Sequence, residues 1–200
     1  MIEYLLNLIF IPITLIFNYI FKKKNFLVNF SGHNHQVYTN EKNIPISGGL
    51  ILIIFFYLKF FNNQNNLLFF LNIFFILGLF GDLNLIKSVL IRFLLQILVV
   101  FIFIFSFNLN ISDIRIDIFD VFLQNQYFNY FFVTFCLLVF INGSNFIDGN
   151  NTLSLGYFIT ILASLFLLQN KNIDLVVSSN FIISLLITLL ILFFFNLSNK

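Results

Sequence analysis

Residues 88–107 read SVLIRFLLQILVVFIFIFSF and carry one charged side chain, Arg92. A helix that crosses a bilayer needs about 20 predominantly apolar residues, because the hydrocarbon core is about 30 Å thick. Hydrocarbon offers no hydrogen-bond partners, so a spanning segment must be a helix or part of a closed barrel. The apolar runs of this chain are too long for barrel strands and lack their alternation. The stretch therefore predicts a membrane-spanning α-helix.

Segments of the same character recur along the whole chain. Hydrophobic residues make up 60% and charged residues 9% of its 200 residues, whereas soluble domains carry about 25% charged residues. A water-soluble protein of this composition would expose far larger apolar patches than a monomer tolerates. We therefore predict an all-α, polytopic membrane helix bundle. Its seven predicted spans cover residues 2–21, 44–61, 67–80, 88–107, 127–142, 152–169 and 175–195.

The charges predict an orientation for this bundle. Lysine and arginine in short loops favour the cytoplasm. With the N-terminus outside, the cytoplasmic segments hold Lys22, Lys23, Lys24, Lys42, Lys87, Arg92 and Lys200. The opposite side holds only Lys59, Arg115 and Lys171, and its segment 108–126 reads as an acidic, partly apolar loop. No linker or repeat divides the chain, so we predict a single integral membrane domain over residues 1–200. The formal net charge of +2 gives no reason to expect nucleic acid.

Three polar clusters fall on the predicted cytoplasmic side. They are the loop HQVYTNEKNIPISGG at 35–49, Gly78-Leu-Phe-Gly-Asp82 with Arg92 and Gln96 downstream, and Asn142-Gly-Ser-Asn145-Phe-Ile-Asp148-Gly149. A carboxylate at membrane depth costs several kcal/mol unless it is paired or hydrated, so Asp82 and Asp148 are functional candidates. Each also suits an ordinary helix cap or turn. Asn142, Asn145 and Asp148 recur every three residues, which would form one polar ridge at a helix end.

The remaining polar positions leave alternatives open. Arg92 lies one turn inside the fourth span, where it can either snorkel to the lysine-rich side or serve a site. His35 lies in a loop without enough ligands for zinc, so a surface role competes with contact to a phosphate or nucleotide. Gly48 and Gly49 can permit close helix approach or keep a loop–helix junction tight.

Two aspartates and a basic residue at one membrane face indicate a type of chemistry. Carboxylates with room for water hold Mg²⁺, and Mg²⁺ in turn binds substrate phosphates. Such a site can meet a soluble nucleotide and a lipid-borne phosphate together. Transporters and lipid-modifying enzymes would share this arrangement.

Taken in order, the three clusters resemble the polyprenyl-phosphate N-acetylhexosamine-1-phosphate transferases, which are glycosyltransferase family 4. The string from Asn142 to Gly149 is the most specific match, and the resemblance extends from about residue 30 to the end of the chain. It implies that a polyprenyl phosphate such as undecaprenyl phosphate attacks a UDP-sugar with Mg²⁺, which releases UMP and forms a lipid-linked sugar pyrophosphate for cell-envelope polysaccharide synthesis. It also implies a multi-pass protein of the bacterial inner membrane whose active site faces the cytoplasm.

The resemblance implies roles for particular residues. Asp82 and Asp148 are expected to be catalytic and to hold the metal. Substrate binding is expected from His35, Lys42, Arg92, Asn142 and Asn145. The implied partners are undecaprenyl phosphate, the UDP-sugar and the lipid bilayer, with a homodimer left open.

The sequence departs from the family pattern at three points. Gly81 stands where the family usually has a first aspartate, Asp148 is followed by Gly-Asn-Asn rather than by a second carboxylate, and no Gly-Asp-x-Gly-Ser motif follows. We therefore expect an N-terminal portion of a larger transferase fold, with little turnover of its own. The alternatives are a catalytically inactive remnant or partner subunit and, ranked below it, a small membrane transporter.

Overall fold

The computed structural model describes residues 7–24, 47–60, 65–83, 85–147, 152–169 and 178–197. Within these ranges the chain is helical and contains no strand. A 3-10 turn at Asn7–Ile9 leads into the first of the eight α-helices that these ranges contain. They are α1 (Phe10–Lys24), α2 (Gly48–Phe60), α3 (Asn65–Asp82), α4 (Val89–Phe107), α5 (Asp117–Leu123), α6 (Gln126–Ile147), α7 (Leu153–Gln169) and α8 (Ser179–Leu197). The predicted all-α membrane helix bundle is confirmed.

Each of the seven predicted spans overlaps one described helix. Three stretches of the described residues are each 19 residues long and apolar enough to cross a membrane. They are α4, the Gln126–Ser144 part of α6, and α8. At about 1.5 Å per residue, such a helix matches the thickness of the hydrocarbon core. The helices α2 and α7 and the Asn66–Asp82 part of α3 are apolar but shorter.

Helices α3 and α6 are among those that extend beyond the predicted spans at polar ends. Helix α3 ends at Asp82 rather than at residue 80, and α6 continues to Ile147 rather than ending at 142. The polar side chains of α6 do not interrupt it, because they bond to carbonyls of their own helix. Asn142 Nδ2 donates to the Leu138 carbonyl at 2.9 Å, and Ser144 Oγ donates to the Ile141 carbonyl at 2.8 Å. The predicted loop beginning at residue 142 is therefore helical in its first part.

The described chain falls into two compact units, residues Met1–Lys59 with Ile147–Lys200 and residues Phe60–Phe146. The first unit contains α1, α2, α7 and α8. Its core is formed by Phe10, Ile51, Phe55, Leu189, Ile191 and Leu192. Within this unit Ser47 Oγ donates to Asn18 Oδ1 at 2.6 Å, which joins α1 to the start of α2. The prediction of a single domain stays a prediction.

The second unit contains α3 to α6. Its core is formed by Val100 and Ile104 of α4 together with Tyr130, Val133 and Leu138 of α6. Helix α4 ends at Asn108, which adopts the left-handed conformation that asparagine tolerates at a helix C-terminus. The Tyr130 hydroxyl donates to Asn108 Oδ1, which brings the C-terminal end of α4 to the N-terminal end of α6. The two helices therefore run antiparallel.

Buried Asn129 on α6 organises the connection between α4 and α6. Its amide nitrogen donates to the carbonyls of Ile111 at 2.7 Å and Leu123 at 2.9 Å, and its amide oxygen accepts from the Ile111 N–H at 3.0 Å. We call these three bonds the Asn129 clasp. They hold the end of α5 against α6. The segment that the sequence suggested to be a loop therefore contains a short, well-anchored helix.

We expect Asn129→Ala to destabilise the second unit by about 3 kcal/mol, because it leaves buried peptide groups without hydrogen-bond partners. The measurement is the unfolding midpoint of the detergent-solubilised chain. Asn110→Ala is the matched control, since Asn110 is an exposed asparagine of the same connection. Equal midpoints for the two variants would show that the clasp contributes nothing to stability.

Candidate functional site

The α3–α4 hairpin carries the second polar cluster. Asp82 is the last residue of α3, and its side chain is exposed. The chain turns within six residues, and Ser88 then caps α4 by accepting a hydrogen bond from the Ile91 N–H at 3.4 Å. The hairpin therefore holds the carboxylate of Asp82 and the first turns of α4 at one end of this unit.

Arg92 on α4 folds back over the C-terminal end of α3. A Cβ atom built on Gly81 would lie 3.1 Å from Arg92 Nη1 and 3.5 Å from Arg92 Cδ. A cation is favourable there, because the carbonyl end of a helix carries partial negative charge. The Nε atom of the half-buried Arg92 is buried and has no hydrogen-bond partner among the described residues. The guanidinium thus lies in contact with Gly81, next in sequence to Asp82.

The third cluster begins on the last turns of α6. Asn142 is half-buried, and its amide nitrogen is committed to Leu138 of the same helix. Asn145 lies three residues further along α6, and this register puts the two positions on the same side of the helix. The first two residues of the predicted polar ridge, Asn142 and Asn145, are therefore part of a helix.

Antiparallel packing brings the second and third clusters to one end of the unit. Asn108 at the end of α4 bonds to Tyr130 near the start of α6, so the start of α4 and the end of α6 share the opposite end. Ile97 and Ile141, which lie toward that end on their helices, pack on the same core. The contact of Gly81 with Arg92 adds the end of α3. Asp82, Arg92 and Asn142 thus lie at a common end.

Other predicted site residues are not part of this geometry. His35, Lys42 and Asp148 lie outside the described residues. Of the first cluster only the start of α2 is described. A Cβ on Gly48 would meet no described residue within 4 Å, so the described helices do not approach one another closely at this glycine.

The metal chemistry available at this end is that of an open site. No group of three His, Cys, Asp or Glu side chains comes together in the part of the chain that the structure describes. Mg²⁺ does not require one, because it usually keeps several waters and is held by one or two carboxylates plus substrate phosphates. The exposed carboxylate of Asp82 is a donor of the kind that such a site uses.

The contact between Gly81 and Arg92 was not predicted from the sequence. Eleven positions separate the two residues, and no helical or strand periodicity links them across a hairpin. The signal that could have indicated it is the single arginine of an otherwise uncharged span, facing a glycine at the end of the preceding one. A cation so placed can hold an anionic group beside Asp82.

Comparison with protein families identifies the group to which this chain belongs. The model of Glycosyl transferase family 4 matches residues 65–199, from the first residue of α3 to beyond the end of α8. The matched region includes Asp82, Arg92, Asn142, Asn145 and Asp148. Comparisons with curated proteins and with solved structures found no match. Because the family match covers more than half of the chain, the resemblance inferred from its motifs is confirmed: this membrane protein belongs to glycosyl transferase family 4.

Proposed function

We propose that this protein transfers a sugar-1-phosphate from a UDP-sugar to a polyprenyl phosphate such as undecaprenyl phosphate, for cell-envelope polysaccharide synthesis. An oxygen of the lipid phosphate attacks the phosphorus that bears the sugar. The bond from that phosphorus to the oxygen shared with the second phosphate breaks, and UMP leaves with the electron pair. The observation that carries the proposal is the common end shared by Asp82, Arg92 and Asn142 in a chain of this family.

Arg92 is the group that we assign to phosphate binding. A guanidinium presents planar N–H donors that match phosphate oxygens, and bonds to charged partners are about twice as strong as neutral ones. Its buried Nε has no partner among the described residues, so the cation is not already fully used by the fold. Bound there, a phosphate would lie beside Asp82.

Asn142 and Asn145 are assigned to the nucleotide end of the site. The Asn142 amide nitrogen bonds to its own helix, which orients the side chain and leaves the amide oxygen as an acceptor. We expect His35 and Lys42 to contribute further polar contacts to the substrate from the preceding loop.

Asp82 and Asp148 are the carboxylates that would hold Mg²⁺. Bound Mg²⁺ supplies neutralisation of phosphate charge, including the charge that develops on the departing group. Either carboxylate can instead remove the proton from a protonated lipid phosphate. The exposure of Asp82 allows both roles.

We also propose a location for the protein. The lysine-rich side of the bundle faces the cytoplasm of a bacterium, where the UDP-sugar is soluble, and the polyprenyl tail remains in the bilayer of the inner membrane. A homodimer stays a prediction.

We expect membranes that contain the chain to release UMP slowly from a UDP-sugar when polyprenyl phosphate is added, since Gly81 and the residues after Asp148 depart from the family pattern. Asp82→Asn and Asp148→Asn should each lower this rate at least about 100-fold, because a positioned acid–base or metal-binding group contributes on that order. Asp113→Asn is the control: this exposed aspartate lies in the connection at the opposite end of the unit and should leave the rate unchanged.

If membranes with the unaltered chain release no more UMP than membranes without it, the proposal fails and the inactive remnant or partner subunit takes its place. Sugar uptake into sealed vesicles that is lost in Asp148→Asn would instead support the transporter.

Removal of the divalent cation provides a second test. We expect EDTA to abolish UMP release and Mg²⁺ to restore it, because the carboxylates alone add negative charge next to a pyrophosphate. The same Mg²⁺ should restore little activity in Asp82→Asn. Full activity in EDTA would contradict a metal role for either aspartate.

The contact between Gly81 and Arg92 provides a third test. Arg92→Gln should raise the KM for the UDP-sugar about tenfold or more, the loss expected for one charge-assisted hydrogen bond. Gly81→Leu should have a similar effect, because its side chain would displace the guanidinium from this position. Gly81→Ala should raise the KM slightly, by shifting Nη1.

Gly78→Ala is the matched control for these glycine variants, since a Cβ at that position meets no residue within 4 Å in the described part of the chain. A KM that is the same in Gly78→Ala and Gly81→Leu would show that the Arg92 guanidinium does not contact the substrate phosphates.

A further inference from the structure

Helix α5 presents an apolar face away from the protein. Ile118 is 74% exposed and Val121 is 65% exposed, while Leu123 on the inward side is only 4% exposed. A helix on a water-facing surface has the opposite pattern, with its apolar stripe toward the core and polar residues outward. The outward face of α5 therefore does not fit an aqueous environment.

The hydrogen bonds of α5 fix which face points outward. Asp120 Oδ1 accepts from the Ile114 N–H at 2.8 Å, and the Leu123 carbonyl accepts from Asn129 at 2.9 Å. Both bonds tie the inward side of the helix to the connection and to α6. A rotation that buried Ile118 and Val121 against the protein would break them.

Aromatic contacts show how far along α6 this short helix lies. The ring of Phe119 is 6.3 Å from that of Phe132, and the ring of Phe122 is 5.5 Å from that of Phe128. Both partners belong to the stretch Gln126–Ser144, which is long and apolar enough to cross a membrane. Phe132 lies six residues into that stretch, about 9 Å along the helix axis. Helix α5 thus packs beside the first turns of a spanning helix.

Helix α6 also carries an exposed apolar stripe. Large exposed side chains recur every four residues at Tyr127, Phe131, Phe135 and Val139. On a spanning helix, such a stripe faces lipid. Phe122 of α5 packs against Phe128, the neighbour in sequence of Tyr127, so α5 lies at the level of the N-terminal part of this stripe.

We propose that α5 is an interfacial helix that embeds its outward face, Ile118, Val121 and Phe122, in the bilayer leaflet at the N-terminal end of α6. Amphipathic helices of this kind bury their apolar face about 5–10 Å into the boundary between headgroups and acyl chains. The exposed carboxylates of Asp113 and Asp117 remain among the headgroups. Their charge favours zwitterionic over anionic lipid. This membrane contact is independent of the transferase reaction.

The absence of tryptophan from the chain allows a direct depth measurement. A single tryptophan is introduced as Ile118→Trp or Val121→Trp, and the full chain is reconstituted into phosphatidylcholine bilayers whose acyl chains carry bromine near the headgroup or near the terminal methyl. Asp113→Trp is the matched control in the same connection, and Phe131→Trp is the lipid-facing reference on α6.

We expect the Ile118→Trp and Val121→Trp variants to fluoresce at shorter wavelength than Asp113→Trp. Bromine near the headgroup should quench both roughly twofold, with less quenching by the deeper bromine, as for a helix at the interface. Emission typical of water without quenching would overturn the proposal, because α5 would then project into solvent. Short-wavelength emission without quenching would also overturn it, because protein, such as a second copy of the chain, would then cover the face.

Discussion

A peptide group in hydrocarbon finds no hydrogen-bond partner outside its own chain, and every element of this molecule reflects that constraint. The helices pair their backbone groups internally, which leaves side chains such as those of Val100, Ile104 and Val133 to hold neighbouring helices together by packing. Charged side chains are consequently concentrated near the helix ends of the described chain. The geometry at those ends then depends on how the helices are aligned along one another.

In the second unit, contacts at one end set the alignment of the helices, and the polar residues of the candidate site lie at the other end. The Asn129 clasp and the bond between Tyr130 and Asn108 join α4, α5 and α6 at the end where α6 begins. Because α4 and α6 are antiparallel and nearly rigid, the opposite ends come into register as well. Arg92 and Asn142 lie there, together with the end of α3. The clasp is therefore remote from Arg92 and Asn142. It nevertheless sets the alignment of the helices that places these two residues at the same end of the unit.

The apolar runs of the sequence predicted the fold. Its charges predicted that the polar clusters lie on one side of the membrane. The spans were visible because about 20 uncharged residues in succession are rarely found outside a membrane helix. The limits of α3 and α6 were missed because Asp82, Asn142 and Ser144 look like loop residues, although the two on α6 bond within their own helix. Neither the contact between Gly81 and Arg92 nor the short helix α5 produces a periodic pattern in the sequence. Both depend on tertiary neighbours that composition does not reveal.

Two threonine hydroxyl groups inside the helices bear on how the protein folds in the membrane. Thr134 donates to the Tyr130 carbonyl and Thr188 to the Ser184 carbonyl, four residues back in the same helix. Hydroxyls satisfied in this way let a helix enter lipid before it has met a neighbour, as in two-stage membrane folding. Asn129 differs, because its partners Ile111 and Leu123 lie outside its helix. Biogenesis of this unit should therefore proceed from independently inserted helices to a last step in which Asn129 finds its partners.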